Sequence, residues 1–250
     1  MDVKVVIPAR LGSSRLPGKP LLKILGKPIV LHVVERCKEA GIDNSNIFVA
    51  TDDKAVLFSL KNAGTQVVMT SPTHQSGTER INEVAQINKW SPDTIVLNVQ
   101  GDEPMIPPSL IQSVASFAAA NSHFDITTAV VKIDTEEEFS NPNVVKAILG
   151  QEGRAIYFTR SKAPVNRDLS HDLSLAKRHI GIYSYRVSAL QKFCFYGEDA
   201  LENYEKLEQL RALSHGMSIG ATVYSGNVPH GVDTLKDFEE IKKLMEDKVQ

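Results

Sequence analysis

The chain has 250 residues, 42% of them hydrophobic and 23% charged, with a formal net charge of −2. This balance excludes a global field that favours nucleic acid or a membrane surface, so any anion binding must come from local clusters. The length suits one large α/β domain with or without a small lobe, no apolar stretch reaches the length of a membrane span, and two isolated cysteines, Cys37 and Cys194, make no disulfide framework.

Val3–Ile7 is a β-branched run that reads as a buried strand. It breaks into Pro8-Ala9-Arg10-Leu11-Gly12-Ser13-Ser14-Arg15-Leu16-Pro17-Gly18-Lys19-Pro20. Small residues let backbone N–H groups approach a ligand, and three cations beyond the carboxyl end of a strand suit a polyphosphate. Neither G-x-x-x-x-G-K-[ST] nor G-x-G-x-x-G is present, which excludes a Walker A loop and a dinucleotide fingerprint. Val30, Val33, Val34 and Cys37 then recur at helical spacing. Ile47–Ala50 is a strand, Lys54–Asn62 a helix, Gln66–Met69 a strand, Gly77–Asn88 a helix and Thr94–Val99 a strand. Pro107-Pro108 opens a helix over Ser109–Ala120, since proline is tolerated in a first turn.

The alternation predicts an α/β fold with a mostly parallel sheet covered by helices on both faces. The second half is less regular. Asp125–Ile133, Val144–Leu149, Ala155–Thr159 and His179–Tyr185 read as strands too close together for helical crossovers throughout, so mixed pairing is expected. Arg160–Ser174 reads as a polar, irregular arm. Tyr204, Leu207, Leu210 and Leu213 predict one helix, Ser218–Val223 a strand, and Phe238, Ile241 and Leu244 a final helix. With no repeat and no linker, residues 1–250 read as a single domain, with an inserted β-rich lobe around 134–200. Both cysteines read as reduced core residues. No signal-peptide pattern opens the chain, and the expected location is the cytoplasm.

Further segments have chemical potential. In Asn98-Val99-Gln100-Gly101-Asp102-Glu103-Pro104 a carboxylate follows a strand end, where it can hold a hard cation. Gly231-Val232-Asp233-Thr234 has the same form, although a carboxylate before a helix is also a common cap. Together with the basic loop, Asp102 and Asp233 favour Mg²⁺ held between carboxylates and phosphate oxygens. His74-Gln75-Ser76-Gly77-Thr78-Glu79-Arg80 offers groups that can read a base edge, or a turn and cap with no ligand. On Arg178–Tyr185, strand alternation puts His179, Gly181, Tyr183 and Tyr185 on one face, suited to a sugar or to core filling. In Leu207-Glu208-Gln209-Leu210-Arg211 the leucines read as buried, with Glu208 and Gln209 beside them in positions that are usually solvated.

These segments, P-A-R-L-G-S-S-R-L-P-G-K-P, H-Q-S-G-T-E-R, N-V-Q-G-D-E-P, R-H-I-G-I-Y, L-E-Q-L-R and G-V-D-T, stand in the order found in the 3-deoxy-manno-octulosonate cytidylyltransferase family, which the chain resembles from roughly Val3 to Met245. The resemblance implies a nucleotide-diphospho-sugar transferase-like, Rossmann-like fold. It also implies a homodimer that couples CTP to the eight-carbon acid sugar Kdo for lipopolysaccharide, with Mg²⁺ as cofactor, pyrophosphate as second product, and no nucleic-acid or membrane partner. On this resemblance CTP falls on Ala9, Arg10, Ser13, Arg15, Lys19, His74, Gln75, Ser76, Arg80 and Gln100. The metal falls on Asp102 and Asp233, and the sugar on Arg160, His179, Tyr183, Glu208 and Gln209. Arg10, Arg15, Lys19, Asp102 and Asp233 form the implied catalytic set.

Two segments depart from the family pattern. Ala163 and Val165 replace an isoleucine and an aromatic, and Asp199-Ala200-Leu201-Glu202 replaces S-P-L-E. These changes lie toward the sugar lobe, which leaves an amino-substituted Kdo or a nonulosonic acid as alternative sugars. A non-catalytic nucleotide or sugar sensor is the alternative of another class. It would keep the basic loop but could dispense with the carboxylates.

Overall fold

The computed structural model describes residues 3–12, 15–169 and 171–248. They form two compact units, one of Met1–Gln112 with Asn227–Gln250 and one of Ser113–Gly226.

The first unit begins with β1 (Val3–Pro8), the small hairpin of β2 (Lys23–Ile24) and β3 (Lys27–Pro28), and α1 (Ile29–Glu39). Val30, Val33, Val34 and Cys37 are all buried on α1, as their spacing predicts, and burial pushes the Cys37 thiol up to about 12. The alternation continues through β4 (Ile47–Thr51), α2 (Lys54–Lys61), β5 (Gln66–Met69), α3 (Gly77–Ile87), β6 (Ile95–Asn98) and α4 (Pro108–Ala120). Asp53 caps α2 by accepting the Ala55 N–H at 2.6 Å, and Ser76 caps α3 by accepting the Glu79 N–H at 3.2 Å. The strands pair in the order β6-β1-β4-β5, all parallel. The loops after β1 and β6 therefore leave the same edge of the sheet, side by side. Gly101 fixes their approach, because a Cβ there would lie 2.5 Å from the Pro8 carbonyl oxygen.

The division between the units falls within α4. The second unit contains β7 (Ile126–Lys132), α5 (Glu136–Ser140), β8 (Lys146–Leu149), β9 (Ala155–Thr159), β10 (Lys177–Arg186), α6 (Val187–Phe195), α7 (Ala200–Glu205), α8 (Gln209–Ser214) and β11 (Ile219–Val223). β7 pairs antiparallel with β10 and parallel with β11, and β8 lies antiparallel to β9 and β10. This is the mixed pairing that the close strand spacing predicts. No helix or strand occurs among the described residues of 160–174. α9 (Leu235–Asp247) belongs to the first unit.

The fold is the expected one, a mostly parallel sheet with helices, but three local expectations need correction. The single helix through Tyr204 and Leu213 is two helices, because Lys206 adopts a left-handed conformation at φ 54° and ends α7. Tyr204 is accordingly 90% exposed, whereas Leu207 is buried in the link between the helices. Gln209 is buried rather than solvated. Cys194 is only half-buried. α5, α6 and the β2–β3 hairpin have no counterpart in the sequence reading.

Candidate functional site

The loops after β1 and β6 enclose a cleft of about 350 Å³ in the first unit, lined by Ala9, Arg10, Gly12, Arg15, Lys19, Gly77, Gln100, Asp102 and Asp233 among others. Seven of the residues singled out from sequence thus share one wall, and Ser13 lies outside the described residues. Lys19 Nζ lies 2.5 Å from Asp102 Oδ2 and 3.2 Å from Asp233 Oδ1, and an Arg15 guanidinium nitrogen lies 3.1 Å from the same Asp233 oxygen. Two carboxylates therefore converge on one ammonium. Hard oxygen donors that can share one cation fit a divalent ion such as Mg²⁺.

Apolar packing fixes this geometry. Leu16 and Val232, the chain neighbours of Arg15 and Asp233, are buried in one cluster with Ile24, Ile29 and Ile241. Each such burial contributes about 1.5–3 kcal/mol. The exposed Arg15–Asp233 pair contributes about 0–1 kcal/mol, so it reports the loop positions without enforcing them. The Val232 N–H also donates to the Asp102 carbonyl at 2.8 Å, which joins the two carboxylate loops directly. Asp233 is not the helix cap. Thr234 fills that role, accepting the Asp237 N–H at 3.2 Å while the Asp237 carboxylate accepts the Thr234 N–H at 2.7 Å.

The segment after β5 is clamped onto α3. Glu83 Oε2 accepts the Ser71 N–H at 2.8 Å and meets His74 Nε2 at 2.6 Å, and Glu79 reaches back to the Gln75 N–H at 2.9 Å. Arg10 donates to the His74 and Gln75 carbonyls at 3.2 and 3.4 Å, tying this segment to the basic loop. Ser76 is spent on the α3 cap. Arg80 is fully buried and does not line the cleft; it donates to Asp52 Oδ2 at 2.7 Å and to the Thr70 hydroxyl. Asp52 and Glu83 were not singled out from sequence, and Glu79 was named only as part of the His74–Arg80 segment. Only Glu79 had a legible signal, the S-x-x-E pattern of Ser76 to Glu79.

In the second unit, His179, Tyr183, Glu208 and Gln209 come together. The His179 and Tyr183 ring centroids are 5.3 Å apart, and the Tyr183 hydroxyl donates to Gln209 Oε1 at 3.1 Å. Burial, aided by the Glu208 carboxylate, raises the Tyr183 pKa. Gln209 Nε2 is buried without a hydrogen-bond partner among the described residues, a donor free for a polar ligand. Arg160 is engaged elsewhere. Its guanidinium donates to the carbonyls of Glu205, Pro142 and Lys206 at 2.6, 2.9 and 3.3 Å. Buried Lys146, also missed in the sequence, donates to the Asn141 and Arg160 carbonyls at 2.9 and 2.8 Å. Burial lowers its pKa, the Arg160 charge adds to that, and Glu205 opposes it.

Burial lowers the His179 pKa from 6.5 to about 3. The Thr128 hydroxyl lies 2.7 Å from the Ile182 carbonyl, to which it donates, leaving a lone pair for the His179 Nε2–H at 3.0 Å. Because the native pKa lies below the unfolded one, the unfolded state binds more protons between about pH 3 and pH 6.5. Stability rises with pH through that window and is level above it. From pH 5 to pH 7 the gain is about 2 kcal/mol, and His179→Gln should abolish that increment in denaturant titrations at the two pH values. An unchanged slope in the variant would show that His179 titrates normally.

A cytidylyltransferase family model matches residues 4–219. The 3-deoxy-manno-octulosonate cytidylyltransferase of Tolumonas auensis is 44% identical over 253 residues, covering 98% of this chain and 97% of the relative. The same-named protein of Alteromonas mediterranea is 46% identical over 247 residues, covering 96% and 98%. A solved structure of CMP:2-keto-3-deoxy-manno-octonic acid synthetase complexed with CTP superimposes with a TM-score of 0.91 at 37% identity, covering 99% of this chain and all of the other. A parallel sheet whose edge gathers cations and carboxylates, matched along almost the whole chain, places this protein in the cytidylyltransferase family.

Proposed function

We propose that the protein joins CTP to Kdo, releasing CMP-Kdo and pyrophosphate, as a step toward lipopolysaccharide. The observation that carries this reading is the cleft of the first unit, where Arg10, Arg15 and Lys19 stand with Asp102 and Asp233, in a chain similar from end to end to enzymes named for this reaction. The sugar's anomeric hydroxyl attacks the α-phosphorus, the bond to the β-phosphate oxygen breaks, and the hydroxyl proton is released. Little covalent work falls to the protein, so positioning and charge stabilisation carry the catalysis. Arg10 and Arg15 offer planar forks to phosphate oxygens, and Lys19 a mobile point charge, against the charge that develops on the departing pyrophosphate. Asp102 and Asp233 would hold Mg²⁺, which when bound polarises phosphate oxygens and lowers the pKa of a coordinated hydroxyl. His74 and Gln75, presented by the clamp on α3, face the base in this reading. Ser76 and Arg80 support that segment from behind.

His179, Tyr183, Glu208 and Gln209 form the sugar subsite, with the free Gln209 amide as the clearest ligand donor. Arg160 acts there through the backbone it braces. A cytoplasmic homodimer is also proposed; in the second unit Leu175, Phe195 and Tyr204 are each more than 70% exposed, which supports a contact between copies through that unit. Among the described residues, no helix is long and apolar enough to cross a membrane.

Pyrophosphate release with CTP, UTP and dTTP against Kdo, 8-amino-Kdo, a nonulosonic acid and hexose phosphates tests the assignment. CTP with Kdo is expected to be the fastest pair. Faster turnover with an amino analogue would transfer the assignment to that sugar. Faster turnover of UTP or dTTP with a hexose phosphate would overturn it, and no turnover with any pair would leave a binding protein.

A further inference from the structure

Lys19 has three N–H donors and no acceptor, and its ammonium contacts both of the carboxylates a metal would need. Arg10, of equal charge in the same cleft, donates to backbone carbonyls and is not among the contacts of that pair. An ammonium and a divalent cation repel, so each weakens the other's hold on a carboxylate pair that both contact. The Lys19 stem starts from a tight turn set by Gly18 at φ 70° and is mostly buried, so the backbone is anchored while the flexible stem can re-aim its charge. The nearest other use for that charge is a phosphate in the cleft that Lys19 itself lines.

We propose that Lys19 is the resident counter-ion of the Asp102–Asp233 pair, and that it yields the pair to a divalent cation as its own charge is taken up by the triphosphate. Metal and nucleotide then bind synergistically, each raising the other's affinity by the same factor. The inference rests on the reading of this cleft as the site of Mg²⁺ and CTP. It adds that the nucleotide-free protein resists loading with metal alone.

The test is Mn²⁺ binding to the nucleotide-free protein, followed by calorimetry or paramagnetic resonance. Lys19→Met and Lys19→Gln should each bind Mn²⁺ about tenfold tighter than wild type, within the usual range of coupling. Adding Asp102→Asn to Lys19→Met should remove that gain, and Arg10→Gln should shift the affinity far less. No gain in either Lys19 variant, with melting temperatures near wild type, overturns the proposal, and so does an equal gain in Arg10→Gln. The metal requirement of turnover separates this failure from failure of the cleft reading. If the inference alone is wrong, Asp102→Asn and Asp233→Asn still raise the Mg²⁺ concentration needed for half-maximal pyrophosphate release. If the cleft is not the metal site, they leave it unchanged.

Discussion

Lys19→Ala is expected to lower turnover at saturating CTP and Kdo by about 10²–10³-fold, the loss typical of removing one preorganised charge contact at a reacting centre. Arg15→Ala should cost less, about tenfold, because water and salt screen an exposed charge. The Lys19 side chain is 13% exposed and the Arg15 side chain 66%, so the two variants differ in dielectric surroundings as well as in position. Melting temperatures should stay near wild type, since Leu16 and its apolar neighbours anchor the loop. Steady-state kinetics of both variants, with CTP varied at fixed Mg²⁺, provides the check. Wild-type turnover in Lys19→Ala would remove the ammonium from the phosphate chemistry, and equal losses in the two variants would remove the argument from burial.

Asp233→Asn and Thr234→Ala should produce opposite signatures at adjacent positions. Asn keeps an oxygen but loses the charge a hard cation requires, so Asp233→Asn should raise the Mg²⁺ demand and depress turnover by about 10²-fold or more, with the helix intact. Thr234→Ala removes a helix cap worth about 1 kcal/mol, which in a chain of this size lowers the melting temperature by about 2–4 °C, and should spare turnover. The separation follows from the contacts: Asp233 faces Arg15 and Lys19, while Thr234 closes the capping box with Asp237. If Asp233→Asn melted early and kept full activity at limiting Mg²⁺, its carboxylate would be structural and the metal pair would have to be abandoned.

The first unit was almost fully legible because its signals are local. Helical spacing of Val30, Val33, Val34 and Cys37, β-branched runs and short connections each specify one element, and parallel pairing follows from their alternation. The cleft was legible for a related reason: Arg10, Arg15, Lys19 and Asp102 all follow strand ends, where open α/β sheets bind ligands. In the second unit a non-glycine residue in a left-handed conformation, Lys206, interrupts an otherwise helical spacing, and nothing in the leucine pattern marks it. Some misses did carry a sign. Asp199 and Glu202 are three residues apart and form a capping box that starts α7. Thr135 and Glu138 show the same spacing at the start of α5. The buried roles of Arg80 and Lys146 were not legible, because long charged side chains are seldom fully buried and their partners are distant in sequence or are backbone carbonyls.

The contacts of Asp233 with Arg15 and Lys19 cross more than two hundred positions of sequence, and the unit that holds them is interrupted by residues 113–226. A ribosome makes the chain from its amino end. The basic loop therefore emerges first, and the acidic residue that faces it follows 218 positions after Arg15 and 214 after Lys19. The interrupting unit is continuous in sequence and has all of its residues before then. A polypeptide synthesised only as far as the interrupting unit holds the basic loop and Asp102 without Asp233, Val232 or α9, so the cleft is completed only after that whole unit has been made. A nascent chain stalled between residues 103 and 227 is a cation-rich loop with one of its two facing carboxylates missing.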